Sequence, residues 1–135
     1  AEAALSAGGG NFVFSERTNG KFYAFRQNFI RYVGTSVKNM ILMKVEGDSM
    51  SPEIKHGDTA MIDIGRRETK NFGFFAIGFD DLVVIKQLEM LGEGKVCVKS
   101  INNNYSSMVK NVDRVRILGQ VVWIDRILFQ QPLPI

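Results

Sequence analysis

A mostly β domain is what this sequence predicts, on three observations. Six segments, Met40–Val45, Thr59–Ile64, Phe74–Phe79, Leu82–Leu88, Lys95–Lys99 and Val115–Leu128, are rich in Val, Ile or Phe and are set apart by Gly, Asn or Asp. Only one good helix start stands among them, and its pattern runs out after about one turn. The 135 residues, 45% of them apolar, suit one domain of the usual ~100–200 residues with enough apolar surface for a packed core.

The opening Ala1–Gly10, AEAALSAGGG, is mostly small residues and ends in three glycines, too free in its backbone and too poor in apolar surface to make a core strand or a capped helix. It reads as a linker, and a chain that opens inside a linker is expected to be a fragment of a longer protein. Between Phe12 and Tyr32, aromatic residues (Phe12, Phe14, Phe22, Tyr23, Phe25, Phe29 and Tyr32) mix with Arg and Asn. Phe12 and Phe14 alternate, as do Tyr23 and Phe25 beyond the polar break Thr18-Asn19-Gly20, which suits short strands or an extended arm rather than a long helix. Burial of the rings against the domain is the preferred use of this arm, ahead of stacking on a ligand. Residues 1–39 are thus linker and arm, and 40–135 the body.

Within the body, Asp80-Asp81 and Gly92-Glu93-Gly94 lie between apolar runs and read as tight hairpins. Ser51-Pro52 is the helix start, with Ser at the N-cap, Pro at the first helical position and Glu53 in the first turn, and His56-Gly57-Asp58 ends it. No repeat, low-complexity tract or heptad is visible.

Composition excludes several classes of chemistry. A lone cysteine, Cys97, has no internal partner for a disulfide, and a lone histidine, His56, leaves no second imidazole for the common zinc arrangements, so neither a metal nor another cofactor is expected. The formal charge of +3 comes from 17 Lys and Arg against 14 Asp and Glu without a dense basic run, which argues against nucleic acid as this segment's own partner. No apolar stretch approaches the ~18–20 residues of a membrane span, nor does a basic start lead into an apolar block, so the expectation is a cytoplasmic chain without a membrane partner.

One constellation can carry chemistry. Val45-Glu46-Gly47-Asp48-Ser49-Met50-Ser51-Pro52 leaves a strand, passes a glycine and presents Ser49 at a turn, where a hydroxyl can stand beside backbone N–H groups able to hold an oxyanion. Serine is a poor nucleophile until a base takes its proton. His56 is close in sequence but reads as a surface turn residue with no third group to orient it. Lys86, in Asp81-Leu82-Val83-Val84-Ile85-Lys86-Gln87-Leu88, shares a strand face with Val84 and Leu88. Half-neutrality at pH 7 asks for a fall of about 3.4 in its pKa, roughly 4.6 kcal/mol, within the ~3–5 that full burial can supply. The plainer account of Lys86 alone is an amine that reaches solvent or pairs with Glu46, Asp48 or Asp81.

The combination is more specific than its parts. GDSMSPEIKHGD, then VVIK, then Lys99-Ser100-Ile101-Asn102-Asn103-Asn104-Tyr105, then Leu118-Gly119-Gln120-Val121-Val122-Trp123 resembles the LexA-type self-cleaving repressors, a family that includes LexA, the phage CI-type repressors and the UmuD polymerase accessory proteins. The resemblance covers about Met40 to Leu128. It implies a LexA- and signal-peptidase-like β-rich fold with a Ser–Lys dyad, Ser49 as nucleophile, Lys86 as general base, and the main-chain N–H groups of Asp48 and Ser49 as oxyanion hole. It further implies that the chain cuts its own linker between a small residue and glycine, here Ala7-Gly8, where small residues let an extended segment enter a narrow cleft. Several relatives carry a threonine two positions before the lysine, where it helps orient the amine; this chain has Val84.

The leading functional expectation is the C-terminal regulatory and dimerisation domain of a prophage or SOS-type repressor, a serine endopeptidase acting on itself. It would be a homodimer that reaches operator DNA through a missing N-terminal helix-turn-helix and takes RecA filaments on single-stranded DNA as co-protease. Val121 to Phe129, with Trp123, is the candidate dimer surface, an ordinary core strand being equally consistent with its pattern. Other classes are a UmuD-like accessory subunit of a translesion polymerase, a repressor domain that oligomerises without cutting, and, least favoured for want of an apolar anchor, a signal-peptidase relative acting in trans.

Overall fold

A computed structural model describes residues 14–18, 21–68 and 73–129. Ala7 and Gly8, the candidate scissile pair, lie outside the described residues. The described chain is mostly β, as its sequence predicts. Strands β1 (Phe14–Thr18) and β2 (Lys21–Phe25) form an antiparallel hairpin that leads into helix α1 (Gln27–Val33). The remaining strands are β3 (Met40–Lys44), β4 (Thr59–Asp63), β5 (Gly73–Phe79), β6 (Leu82–Gly92), β7 (Lys95–Lys99), β8 (Met108–Asn111) and β9 (Arg116–Asp125). They make one seven-stranded antiparallel sheet in the order β3-β4-β9-β5-β6-β7-β8.

Both expected hairpins are present. Phe79 pairs with Leu82 around Asp80-Asp81, and Gly92 pairs with Lys95 around Glu93-Gly94. Three elements depart from expectation. The arm contains a helix, α1, whose N-terminus has no side-chain cap and no acidic residue in its first turn; the fully buried Ile30 holds it to the body. Edge strand β8 carries exposed Met108 and Val109 and exists through its pairing with β7. Ser51-Pro52 starts no helix: the Ile54 N–H reaches the Met50 carbonyl at 3.0 Å, a single turn, and the chain continues as turns to Asp58.

Strand β4 shows how the layers are built. Every one of its residues is buried, because both faces are covered. On one face Met61 packs with Phe25, Ile30, Met40 and Leu42; on the other Ala60 packs with Val45, Met50, Ile54 and Ile85. A third cluster, Phe75, Ile77, Leu88, Val96 and Val98, fills the β5–β6–β7 part of the sheet. Burying such side chains contributes ~1.5–3 kcal/mol each.

The arm is anchored by its rings, the preferred use of its aromatic residues. Trp123 on β9 meets Tyr23, Phe25 and Phe29 edge-on, with centroids 6.3, 5.2 and 6.5 Å away. Tyr23 adds hydrogen bonds to Asp125 (3.0 Å) and Thr59 (3.2 Å). Trp123 is therefore occupied within the chain, and Val121 and Ile124 pack against the cluster of Val45, Met50, Ile54, Ala60 and Ile85. Of the segment proposed as a dimer surface, the exposed apolar residues are Ile127, Leu128 and Phe129.

Candidate active site

Strand β3 ends at Lys44, and the chain returns to β4 at Thr59 through the loop that holds Ser49. Its ends are tied by hydrogen bonds from Val45 N to Asp58 O (2.8 Å) and from Gly57 N to Val45 O (2.9 Å). Met50 and Ile54 are its buried feet, Gly47 and Asp48 are exposed, and Ser49, next to Met50, is half-buried. Gly47 (φ +82°) and Gly57 (φ +90°) take the left-handed backbone that lets the loop leave and rejoin the sheet, at a cost a side chain would raise. His56 is exposed and its Nδ1 accepts the Gly47 N–H at 3.0 Å, so it fastens the loop; among the described residues it has no hydrogen bond to Ser49.

The far end of the loop is held by charge. Asp58, 1% exposed, accepts two bonds from Arg126 (2.8 and 2.7 Å) and one from the Lys55 N–H (2.8 Å). Burial pushes the Asp58 carboxyl up, but the Arg126 guanidinium and the Lys55 N–H outweigh it and hold it below the usual carboxylate range.

A second segment, Ser100 to Tyr105, grips the Ser49 loop from the side. Asn102 donates its N–H to the Ser49 carbonyl (2.9 Å) and its side-chain amide to the Asp48 carbonyl (3.1 Å). The Tyr105 hydroxyl donates to Asp48 Oδ1 at 2.6 Å, and that carboxylate keeps the phenol above its ordinary range. These contacts leave the Asp48 and Ser49 N–H groups without a hydrogen-bond partner among the described residues. Asn102 and Tyr105 stand in the family-like stretch of sequence, but nothing in their spacing announces that they hold a loop some fifty residues upstream.

Lys86 sits at mid-length on β6, directly across from the buried Phe75 of β5. Its amine donates to Ser100 Oγ at 2.7 Å and stands 5.7 Å from the centre of the Tyr105 ring. Burial pushes the amine below the ordinary lysine range. It has no carboxylate partner among the described residues, so the ion pair with Glu46, Asp48 or Asp81 is not formed. No hydrogen bond joins Ser49 Oγ to Lys86 among the described residues: the amine's bond goes to Ser100.

Ser49 and Lys86 open on neighbouring grooves that share Val84. Ser49 lines one of about 240 Å³ with Met43, Val45, Gly47 and Val83. Lys86 lines another of about 260 Å³ with Ile77, Val98, Met108, Lys110 and Arg114. Among the described residues no group of His, Cys, Asp and Glu is arranged to hold a metal ion, and no helix is long and apolar enough to cross a membrane. Cys97 is a free, buried thiol.

Comparison with known proteins gives this arrangement a context. The chain is 31% identical over 121 residues to the repressor protein CI of Enterobacteria phage phi80, a match covering 88% of this chain and 51% of that protein. It is 24% identical over 127 residues to an uncharacterized HTH-type transcriptional regulator of Haemophilus influenzae, covering 92% of this chain and 53% of the other. The chain thus spans about half the length of these curated relatives. The family model described as Peptidase S24-like matches residues 3–122, nearly the whole chain, and the chain belongs to that family.

Proposed function

We propose that this chain is the regulatory domain of a transcriptional repressor that cuts its own linker at Ala7-Gly8. Ser49 attacks the Ala7 carbonyl carbon while neutral Lys86 takes the hydroxyl proton. The carbonyl oxygen, now an oxyanion, is received by the N–H groups of Asp48 and Ser49. Collapse breaks the bond to Gly8, whose amine takes a proton from Lys86, and water then hydrolyses the Ser49 ester. The observation that carries this reading is the seat of Lys86: an amine lowered by burial, free of any carboxylate partner among the described residues, and bonded to the same short segment that grips the Ser49 loop. The Ser49–Lys86 bond is left to the arrival of the substrate strand, since catalytic hydrogen bonds often tighten only in the complex.

In this reading RecA filaments supply no catalytic group. They favour the conformer in which the linker lies across Ser49. Cutting separates a dimerising half from a DNA-binding half, and the effective-concentration advantage of two joined heads on a two-part operator is lost. The names of the relatives, a CI repressor and an HTH-type regulator, favour a repressor over a polymerase accessory subunit.

The test is incubation of the chain at pH ~9–10, and at neutral pH with RecA filaments, with mass spectrometry to detect loss of Ala1–Ala7. The proposal expects a cut that Ser49→Ala and Lys86→Ala each abolish. A chain that stays whole in both conditions leaves a repressor domain that oligomerises without cutting.

A further inference from the structure

We infer that Ser100 is a positioning residue for the general base: its hydroxyl, reaching across from the end of β7, holds the Lys86 amine in the orientation that cleavage requires. This rests on the self-cleavage reading above. Strands β6 and β7 pair Leu88 with Val98 and Gln87 with Lys99, and one further step of that register sets Lys86 opposite Ser100. The 2.7 Å bond between Lys86 Nζ and Ser100 Oγ is the result. On its own strand Lys86 has no such neighbour, because the residue two positions earlier on the same face is the apolar Val84.

The chemistry explains why a hydroxyl is needed there. A neutral amine has one lone pair, and free rotation about its last bond spreads that lone pair over every direction. Giving one N–H to Ser100 removes that rotation and leaves the lone pair for the nucleophile. Without Ser100, the same N–H would face a groove whose walls include Ile77, Val84 and Val98, where an unpaired polar group is costly.

The place of Ser100 in the chain strengthens the assignment. Two residues on, Asn102 donates to the Ser49 and Asp48 carbonyls, and Tyr105 donates to the Asp48 carboxylate. One segment therefore fixes the base through Ser100 and the nucleophile loop through Asn102 and Tyr105. The charged and titratable groups around the amine are Tyr105, with Asp48 behind it, and the Lys110 and Arg114 that line the same groove. None of them supplies the hydrogen bond that Ser100 does.

The experiment follows the pH–rate profile of Ala7-Gly8 cleavage in the 135-residue chain, read by mass spectrometry, for the wild type, Ser100→Ala and Ser100→Thr, with Ser49→Ala as blank. Ser100→Ala is expected to cut about 10- to 100-fold more slowly, the scale of a misplaced reacting group. That deficit persists on the alkaline plateau, where every Lys86 amine is already neutral, so it reports orientation and not ionisation. Ser100→Thr restores the rate, and thermal melting shows all variants folded. Should Ser100→Ala fail to fold, Ser100→Val against Ser100→Thr makes the same comparison with the hydroxyl as the only difference. If the wild type is cut and the hydroxyl-free variant keeps pace on the plateau, the positioning role is wrong and the cleavage reading stands. A faster hydroxyl-free variant also overturns it, showing that Ser100 holds the amine away. A wild type that is never cut overturns the cleavage reading and this role with it.

Discussion

Trp123→Ala probes the joint between the arm and the body. The indole meets three aromatic rings of the arm edge-on, Tyr23, Phe25 and Phe29. Such pairs contribute ~0.5–1.5 kcal/mol each beyond the area they bury, or ~1.5–4.5 kcal/mol for the three. Truncating a fully buried tryptophan costs ~3–5 kcal/mol, and Trp123 is half-buried, so the two routes meet at about 3 kcal/mol. For a domain of this size that is a fall in Tm of roughly 10 °C. Differential scanning calorimetry measures it. Trp123 is also the only tryptophan in the chain, so its emission reports directly on the arm: Phe25→Ala should shift it to the red as water reaches the indole. A double-mutant cycle of Trp123→Ala with Phe25→Ala should show coupling of ~0.5–1.5 kcal/mol, since the pair is in contact at 5.2 Å. An unchanged Tm, or strictly additive single effects, would refute the idea that these rings dock the arm.

Three further outcomes are expected. Lys86→Met should melt higher than the wild type at neutral pH: burial places the folded amine below the unfolded 10.5, so only the wild type gains stability as pH rises through that window, and the difference should narrow above it in melts taken across alkaline pH. Arg126→Ala should lower Tm at pH 7. The Asp58 carboxyl is depressed in the folded chain, so the pair stabilises above the unfolded carboxyl value and is lost as pH falls through the folded one; melts in acid should therefore show wild type and variant converging. If dimers form through the exposed C-terminal apolar residues, Leu128→Asp should give folded monomers in sedimentation velocity, whereas Ile124→Asp should unfold the chain because Ile124 packs against a buried cluster; a Leu128→Asp dimer would remove Leu128 from the interface.

The strands were legible because their signal is local. All six expected segments coincide with observed strands to within a residue at their starts, and Lys95–Lys99 matches at both ends. Apolar alternation and turn residues act over a few positions, and the Asp80 and Glu93 backbones do adopt the left-handed conformation of tight turns (φ 54° at each). Helix α1 was not legible, because Arg26 caps nothing and what stabilises the helix is Ile30 buried among residues from β2, β3 and β4. Strand β8 was hidden for a similar reason: its exposed side chains carry no pattern, and only the free edge of β7 makes it a strand.

By itself the sequence determined the chemistry on offer: a serine at a strand exit after glycine, a lysine inside an apolar strand, and a motif shared with one family. It also determined that the strand pattern leads to a sheet, since period-two burial needs a partner face whatever that face turns out to be. Tertiary structure alone decided which hydroxyl the lysine holds, that Asn102 and Tyr105 secure the Ser49 loop, and that Trp123 faces its own arm. Those contacts join residues 14, 54, 57 and about a hundred positions apart. Such pairs are set by strand order and register across the whole sheet, which no local pattern encodes.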